Sequence, residues 1–181
     1  DEMEELKIQT ITTRSELDRW EQQNIGDAMS WLDTRKNKSE ILNEDFIRRL
    51  HKKMFGKVWE WAGSFRKTDK NIGVDKYRIG IELKNLLDDT QYWIDNRTYE
   101  SDEIALRFHH RLVQIHCFPN GNGRHSRLMT DIILTDILNE KPFTWGNSNL
   151  SAEGEVRETY INALHSADNY DYKPLMEFVR S

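Results

Sequence analysis

Apolar positions recur at helical spacing along most of the chain, and the breaks between them are short. Leu17, Trp20, Ile25, Ala28 and Trp31 follow Thr13-Arg14-Ser15-Glu16, a hydroxyl three residues ahead of a glutamate, so the spacing predicts a capped helix over 14–34. Asn43 can cap a second helix, carried by Phe46, Ile47, Leu50 and Met54 and ending near Gly56. A third is expected over 82–96 on Leu83, Leu86, Leu87, Trp93 and Ile94. Ser101 opens a fourth, with Asp102 and Glu103 where the helix dipole favours carboxylates and with Ile104, Phe108, Leu112 and Ile115 on its core face. Residues 124–138 hold Leu128, Met129, Ile132, Ile133, Ile137 and Leu138, which predicts a central fifth helix. A sixth from Ser151 to about His165 and a short one from Pro174 complete the set, proline being suited to a first helical position. Residues 63–80 carry Gly63, Gly73, Gly80 and an Asp/Asn/Lys-rich middle without a 3.6-residue period, and predict a loop or small hairpin. The expected fold class is all-α, about seven helices in one domain over 1–181, with a helical N-terminal extension over about 1–40 and a core over about 41–181.

Composition narrows the picture. No repeat or low-complexity tract interrupts the 181 residues. Charged residues make up 31%, above the usual ~25%, and no apolar run reaches the ~18 residues a membrane helix needs. Six Trp, six Tyr and seven Phe argue against disorder. A net charge of −5 and a pI near 5.7 disfavour a general nucleic-acid binder, which normally carries a basic excess. Direct nucleic-acid binding and membrane attachment are therefore not expected, while a local basic pocket stays open. The single Cys117 cannot form an internal disulfide and no secretory leader pattern is visible, so a cytoplasmic location is expected.

The chemistry concentrates in His116-Cys117-Phe118-Pro119-Asn120-Gly121-Asn122-Gly123-Arg124-His125-Ser126-Arg127, between the fourth and fifth helices. A Gly-Asn-Gly turn leads straight into a helix whose first N–H groups have no internal partners and favour anions. Gly121 and Gly123 let the backbone approach a phosphate closely. Arg124 and Arg127, three residues apart, project from one face and can each grip phosphate oxygens with two parallel hydrogen bonds. His116 lies one short loop away, where a neutral imidazole can take a proton from an incoming hydroxyl. Attack on a phosphate is the reaction this implies. The spacing fits neither a P-loop nor a dinucleotide-binding Gly-x-Gly-x-x-Gly.

This stretch resembles the His-x-Phe-x-[Asp/Glu]-Gly-Asn-Gly-Arg-x-x-Arg motif of the Fic (filamentation induced by cAMP) family at eight of nine specified positions. Trp61-Ala62-Gly63-Ser64-Phe65-Arg66, Asp69-Lys70-Asn71-Ile72-Gly73-Val74-Asp75 and Phe143-Thr144-Trp145-Gly146 resemble the bacterial branch called mobile mystery protein B. The resemblance implies an all-α core and a protein adenylyltransferase, moving AMP from ATP to a Tyr, Thr or Ser hydroxyl of a target protein. His116 then matches the general base, and Phe118 an aromatic anchor of the loop. Gly121, Asn122 and Gly123 match the nest around the α- and β-phosphates, Arg124 a β-phosphate contact and Arg127 the γ-phosphate arginine. Asn120 stands where the family has Asp or Glu for Mg2+, which prefers charged and water oxygens. The resemblance implies ATP with Mg2+ at the helix start, where the Asn120 carbonyl can ligate but without charge, so the identity of the transferred group also turns on that residue. Residues 63–80 resemble the family flap, which aligns target backbone by β-augmentation. The resemblance also implies a toxin–antitoxin-like arrangement with a small helix-turn-helix partner. The alternatives are transfer of another phosphate-containing group and a catalytically silent nucleotide-binding regulator.

The remaining chemistry-bearing residues are expected to be structural. His109, His110 and His116 lack the carboxylates that would complete a metal set on that face; His109 reads as buried and hydrogen-bonded, His110 as solvated. Cys117 reads as a small core residue, and the tryptophans at 20, 31, 59, 61 and 93 as packing aromatics. The inhibitory Ser/Thr-x-x-x-Glu-[Gly/Asn] pattern of the family has only two near misses here, Thr12 to Glu16 and Ser151 to Glu155, both at helix starts where capping is expected.

Overall fold

A computed structural model describes residues 5–35, 40–147, 150 and 154–181. Among these, seven α-helices appear in chain order: α1 (Arg14–Asp33), α2 (Glu44–Phe55), α3 (Ile79–Asn96), α4 (Ser101–Ile115), α5 (Asn122–Ile132), α6 (Glu155–Asp168) and α7 (Lys173–Val179). The expected capping box closes α1, with Thr13 accepting from the Glu16 N–H while the Glu16 carboxylate accepts from the Thr13 N–H. Asn43 caps α2 through a 2.7 Å bond from the Phe46 N–H. The third helix starts earlier than its apolar pattern, at Ile79, continuous with a 3-10 turn over Lys76–Arg78 that Asp75 caps. Ser101 is the first residue of α4, with Glu100 at its cap and no side-chain capping bond. The expected start at Ser151 lies outside the described residues; α6 begins at Glu155, directly after the described Gly154. The fifth helix continues as a π-helical turn over Ile133–Ile137, so the apolar run 124–138 is helical almost throughout.

Two hydrophobic clusters meet at α4 and α5. One gathers Phe46, Leu50, Phe55, Leu83, Phe108, Phe118 and Met129 from α1 to α5; the other gathers Leu106, Leu134, Trp145, Tyr160, Leu175 and Phe178 around α6 and α7. The α4–α5 pair is shared by both, which places the loop joining them, residues 116–121, at the seam. No described helix is long and apolar enough to cross a membrane.

Three expectations need correction. Residues 63–80 form no hairpin: the described backbone has one isolated bridge, Leu6 with Trp59. The backbone groups of this segment are taken instead by side chains, chiefly those of Arg66, Asp69 and Asp75. Trp20 is half-exposed at 46%, on the outer face of α1. His110 is buried, not solvated, because Asp168 reaches its Nε2 at 2.8 Å.

Buried histidines staple the helices, and they make the fold acid-sensitive. His125 meets the Ile47 carbonyl at 3.0 Å and His109 the Tyr160 hydroxyl at 2.7 Å. Burial drives both rings down from the ordinary 6.5, His109 to about 3 and His125 to about 4, and drives His51 well below that value. The unfolded chain binds protons at these rings near pH 6.5 and the native one does not. Their contribution is therefore whole above that pH and is lost as pH falls, at about 1.4 kcal/mol per pH unit for each ring. Asp131, raised by burial to about 6, works in the opposite direction between pH 6 and 4 and offsets one ring. Thermal melts are expected to show Tm falling steeply from pH 6.5 to about 4. A flat Tm across that window would contradict the neutral, buried state of these rings.

Candidate functional site

The helix α4 ends on His116, whose N–H bonds the Leu112 carbonyl at 3.3 Å and whose backbone turns left-handed at φ 54°. That turn throws the chain into the loop 117–121, which folds back through a clasp made by one side chain. Asn122 Oδ1 accepts from the Phe118 N–H at 2.9 Å and its Nδ2 donates to the Phe118 carbonyl at 2.8 Å. Asn122 thus serves the loop with both amide atoms, leaving only its backbone to face a ligand. Phe118 is fully buried, stacked 3.7 Å from the His51 ring and edge-on to His125.

His51 fixes the far side of the loop. Its Nδ1 accepts from the Gly63 N–H at 3.0 Å, so the ring hydrogen sits on Nε2 and donates to the Asn120 carbonyl at 3.0 Å. Gly121 then caps α5 at φ 78°, where a Cβ would lie 2.6 Å from the Phe55 ring; only glycine fits this approach. The N–H groups of the first turn of α5, residues 122–124, have no partner within the helix and open into a cavity of about 470 Å³.

That cavity brings together every site residue expected from the sequence: His116, Asn120, Gly121, Asn122, Gly123, Arg124 and Arg127 all line it. It adds residues the motif does not contain, from α1 (Arg14, Asp18, Glu21) and from α6 (Arg157, Tyr160). Arg14 pairs with Asp18 at 3.2 Å on the exposed rim. Arg124 pairs with Glu21 at 2.6 Å, and the Trp59 indole donates to the other oxygen of that buried carboxylate at 2.7 Å. Arg127 and Arg157 make no salt bridge among the described residues, Asp131 acting on Arg127 only at longer range, so both guanidinium groups add positive charge to the cavity wall.

The segment after Gly63 docks on the end of α4 through Arg66, a buried guanidinium. Its Nε donates to the His116 carbonyl at 2.6 Å, while its Nη atoms reach the carbonyls of Thr68, Val74 and Ile115. Gly73 comes so close that a Cβ there would lie 2.8 Å from the His116 Cβ. One arginine therefore ties the segment expected as a flap to the backbone of the expected base.

The sequence model of the Fic/DOC family matches residues 41–134. The chain belongs to the Fic/DOC family. Among curated relatives it is 25% identical over 157 residues to a protein adenylyltransferase Fic of Aedes aegypti, covering 84% of this chain and 30% of that protein. Its fold resembles residues 134–508 of Fic-1 from Caenorhabditis elegans, with a TM-score of 0.72 at 25% identity, covering 96% of this chain and 50% of that one. It also resembles the N-terminal Fic domain of a VirB-translocated Bep effector from Bartonella quintana, solved with bound ADP, at TM-score 0.70 and 17% identity, covering 95% of this chain and 86% of that one. The chain spans between about a quarter and two-fifths of the length of the curated Fic relatives first matched.

The donor set does not fit a magnesium ion held by the protein. Asn120 brings one neutral amide oxygen, which already accepts from the Gly121 N–H at 2.6 Å, and no group of three or more His, Cys, Asp or Glu among the described residues could hold a metal. Cys117 is buried and its thiol is pushed up to about 12, which leaves it inert beside the loop.

Proposed function

We propose that this Fic chain transfers AMP from ATP to a Tyr, Thr or Ser hydroxyl of a target protein. The observation that carries the reading is the convergence of His116, the first turn of α5, Arg124 and Arg127 on one cavity, in a chain whose matched relatives are named adenylyltransferases. His116 takes the proton of the acceptor hydroxyl as its oxygen attacks the α-phosphorus. The new O–P bond forms as the bond to the β-phosphate breaks, and pyrophosphate leaves with its negative charge facing the α5 N-terminus and the arginines. Incubating the protein with target-cell lysate and ATP labelled on the adenine or α-phosphate tests this. Expected is labelled protein carrying an AMP mass adduct; labelled lysate proteins absent while ATP still binds tightly would leave a binding module.

Transfer of a different phosphate-containing group is the second reading, and Asn120 is the observation in its favour. The mass of the adduct decides between them. The same residue yields a sharper expectation: Asn120→Asp adds a charged oxygen at the cavity rim, so the Mg2+ concentration giving half-maximal transfer should fall by about tenfold, one added carboxylate ligand being worth that order. An unchanged Mg2+ dependence would show that a carboxylate at position 120 does not reach a magnesium ion carried in by the nucleotide.

A further inference from the structure

We infer that Tyr160 of α6 is a positioning residue for Arg127, holding through a buried histidine the guanidinium that, on the reading above, receives the γ-phosphate. Tyr160 lies outside the 41–134 match, in the wall of the same cavity, and only 6% of it is exposed. The Arg127 guanidinium carbon sits 5.9 Å from the centre of its ring. Its hydroxyl lies 2.7 Å from His109 Nε2, and His109 is fully buried between α4, α5 and the Trp145 ring.

The direction of these bonds follows from proton counting. His109 is neutral, so one ring nitrogen carries hydrogen and the other accepts. Thr130 spends its hydroxyl hydrogen on the Ser126 carbonyl at 2.7 Å, so its oxygen, 3.4 Å from Nδ1, can only accept, and Nδ1 is the donor. Nε2 must then accept, and the Tyr160 hydroxyl must donate to it. This leaves the lone pairs of the phenol oxygen for Arg127, which has donors only. Burial raises the phenol's pKa and Arg127 opposes that rise, consistent with a neutral phenol facing the guanidinium.

Arg124 and Arg127 are thus held differently. Arg124 is turned to the Glu21 carboxylate in a salt bridge, whereas Arg127 lies against Tyr160, whose uncharged oxygen does not compete with phosphate, and feels the Asp131 carboxylate only at longer range. A long arginine side chain loses much rotamer freedom on binding, and a fixed acceptor removes part of that loss before the ligand arrives.

Isothermal titration of ATP and ADP into wild type, Tyr160→Phe, Arg127→Ala and the double variant tests the relay. Expected is a rise in the ATP Kd of about three- to tenfold in Tyr160→Phe, little change for ADP, and no further effect of Tyr160→Phe in the Arg127→Ala background. Weaker packing alone would affect ATP and ADP alike and persist in the double variant. Loss in Arg127→Ala with no loss in Tyr160→Phe, or additive losses, would overturn the relay and leave the nucleotide reading standing. Equal ATP affinity in wild type and Arg127→Ala would overturn that reading and the relay together. Should Tyr160→Phe fail to fold, nitrogen relaxation of the arginine Nε groups in ligand-free wild type decides: a restricted Arg127 is expected, and one as mobile as Arg157 would sink the proposal.

Discussion

His116→Ala is expected to lower target labelling by about 10²- to 10⁴-fold, the usual worth of a positioned general base, while the helical fold and ATP binding persist. The backbone of His116 is fixed from both ends, by the Leu112 carbonyl on its N–H and by Arg66 on its own carbonyl, so the imidazole enters the cavity from a set position. The phosphate-facing elements belong to the next helix, and removing the ring leaves Gly121, Asn122, Gly123 and the arginines where they are. The side chain is only half-buried, so its loss leaves no core cavity. Initial rates with labelled ATP, paired with titration of ATP and a circular dichroism spectrum, check the three parts separately. Labelling that survives at more than a tenth of the wild-type rate would assign the proton transfer to another group. Loss of ATP affinity alongside rate would instead make His116 part of the nucleotide grip.

Most of the fold is legible in local signals of the sequence. The Thr13–Glu16 box, Asn43 and the apolar stripes of α2 to α5 place the helices within a few residues, because capping and periodicity are contacts between near neighbours. The loop from His116 to Arg127 is equally legible, since one short stretch carries base, turn and arginines. Hidden from such signals are residues whose meaning depends on distant partners. Glu21 meets Arg124 across 103 positions, and His51 meets Asn120 across 69. A signal for Glu21 does exist: it falls with Leu17, Asn24 and Ala28 on the buried face of α1, where a carboxylate without a partner would be costly. Tyr160 has a similar place, sharing the buried face of α6 with Ala163 and Ala167. The hairpin expectation fails for a different reason. Glycines and short polar residues predict a reversal of the chain, but whether its backbone groups pair with each other or with a buried arginine is decided by where the segment docks.

Glu21→Gln is expected to tighten ATP binding by about tenfold or more and to raise the transfer rate at limiting ATP. Without nucleotide Arg124 is committed to a buried carboxylate at 2.6 Å, and it must leave that pair to hold a phosphate. A charge-assisted bond of this kind is worth about 1.5–3 kcal/mol, and each 1.4 kcal/mol is a factor of about ten in affinity. The same carboxylate repels an entering triphosphate through a poorly solvated cavity wall. Glutamine keeps an oxygen for the Trp59 indole, so the packing of α1 on the Leu6–Trp59 bridge is preserved while the charge is removed. Neither near miss to the family's inhibitory pattern supplies this contact: Glu16 is held in the α1 capping box, and Glu155 lies in the first turn of α6. The restraint expected of Glu21 is built into the chain by helix α1 and acts on Arg124 rather than Arg127. Titration of ATP into wild type and Glu21→Gln, with thermal melts of both, separates the outcomes. Unchanged or weaker ATP binding with an unchanged Tm would show that Arg124 does not need to be released, and would move the phosphate grip onto Arg127 and the α5 N-terminus alone.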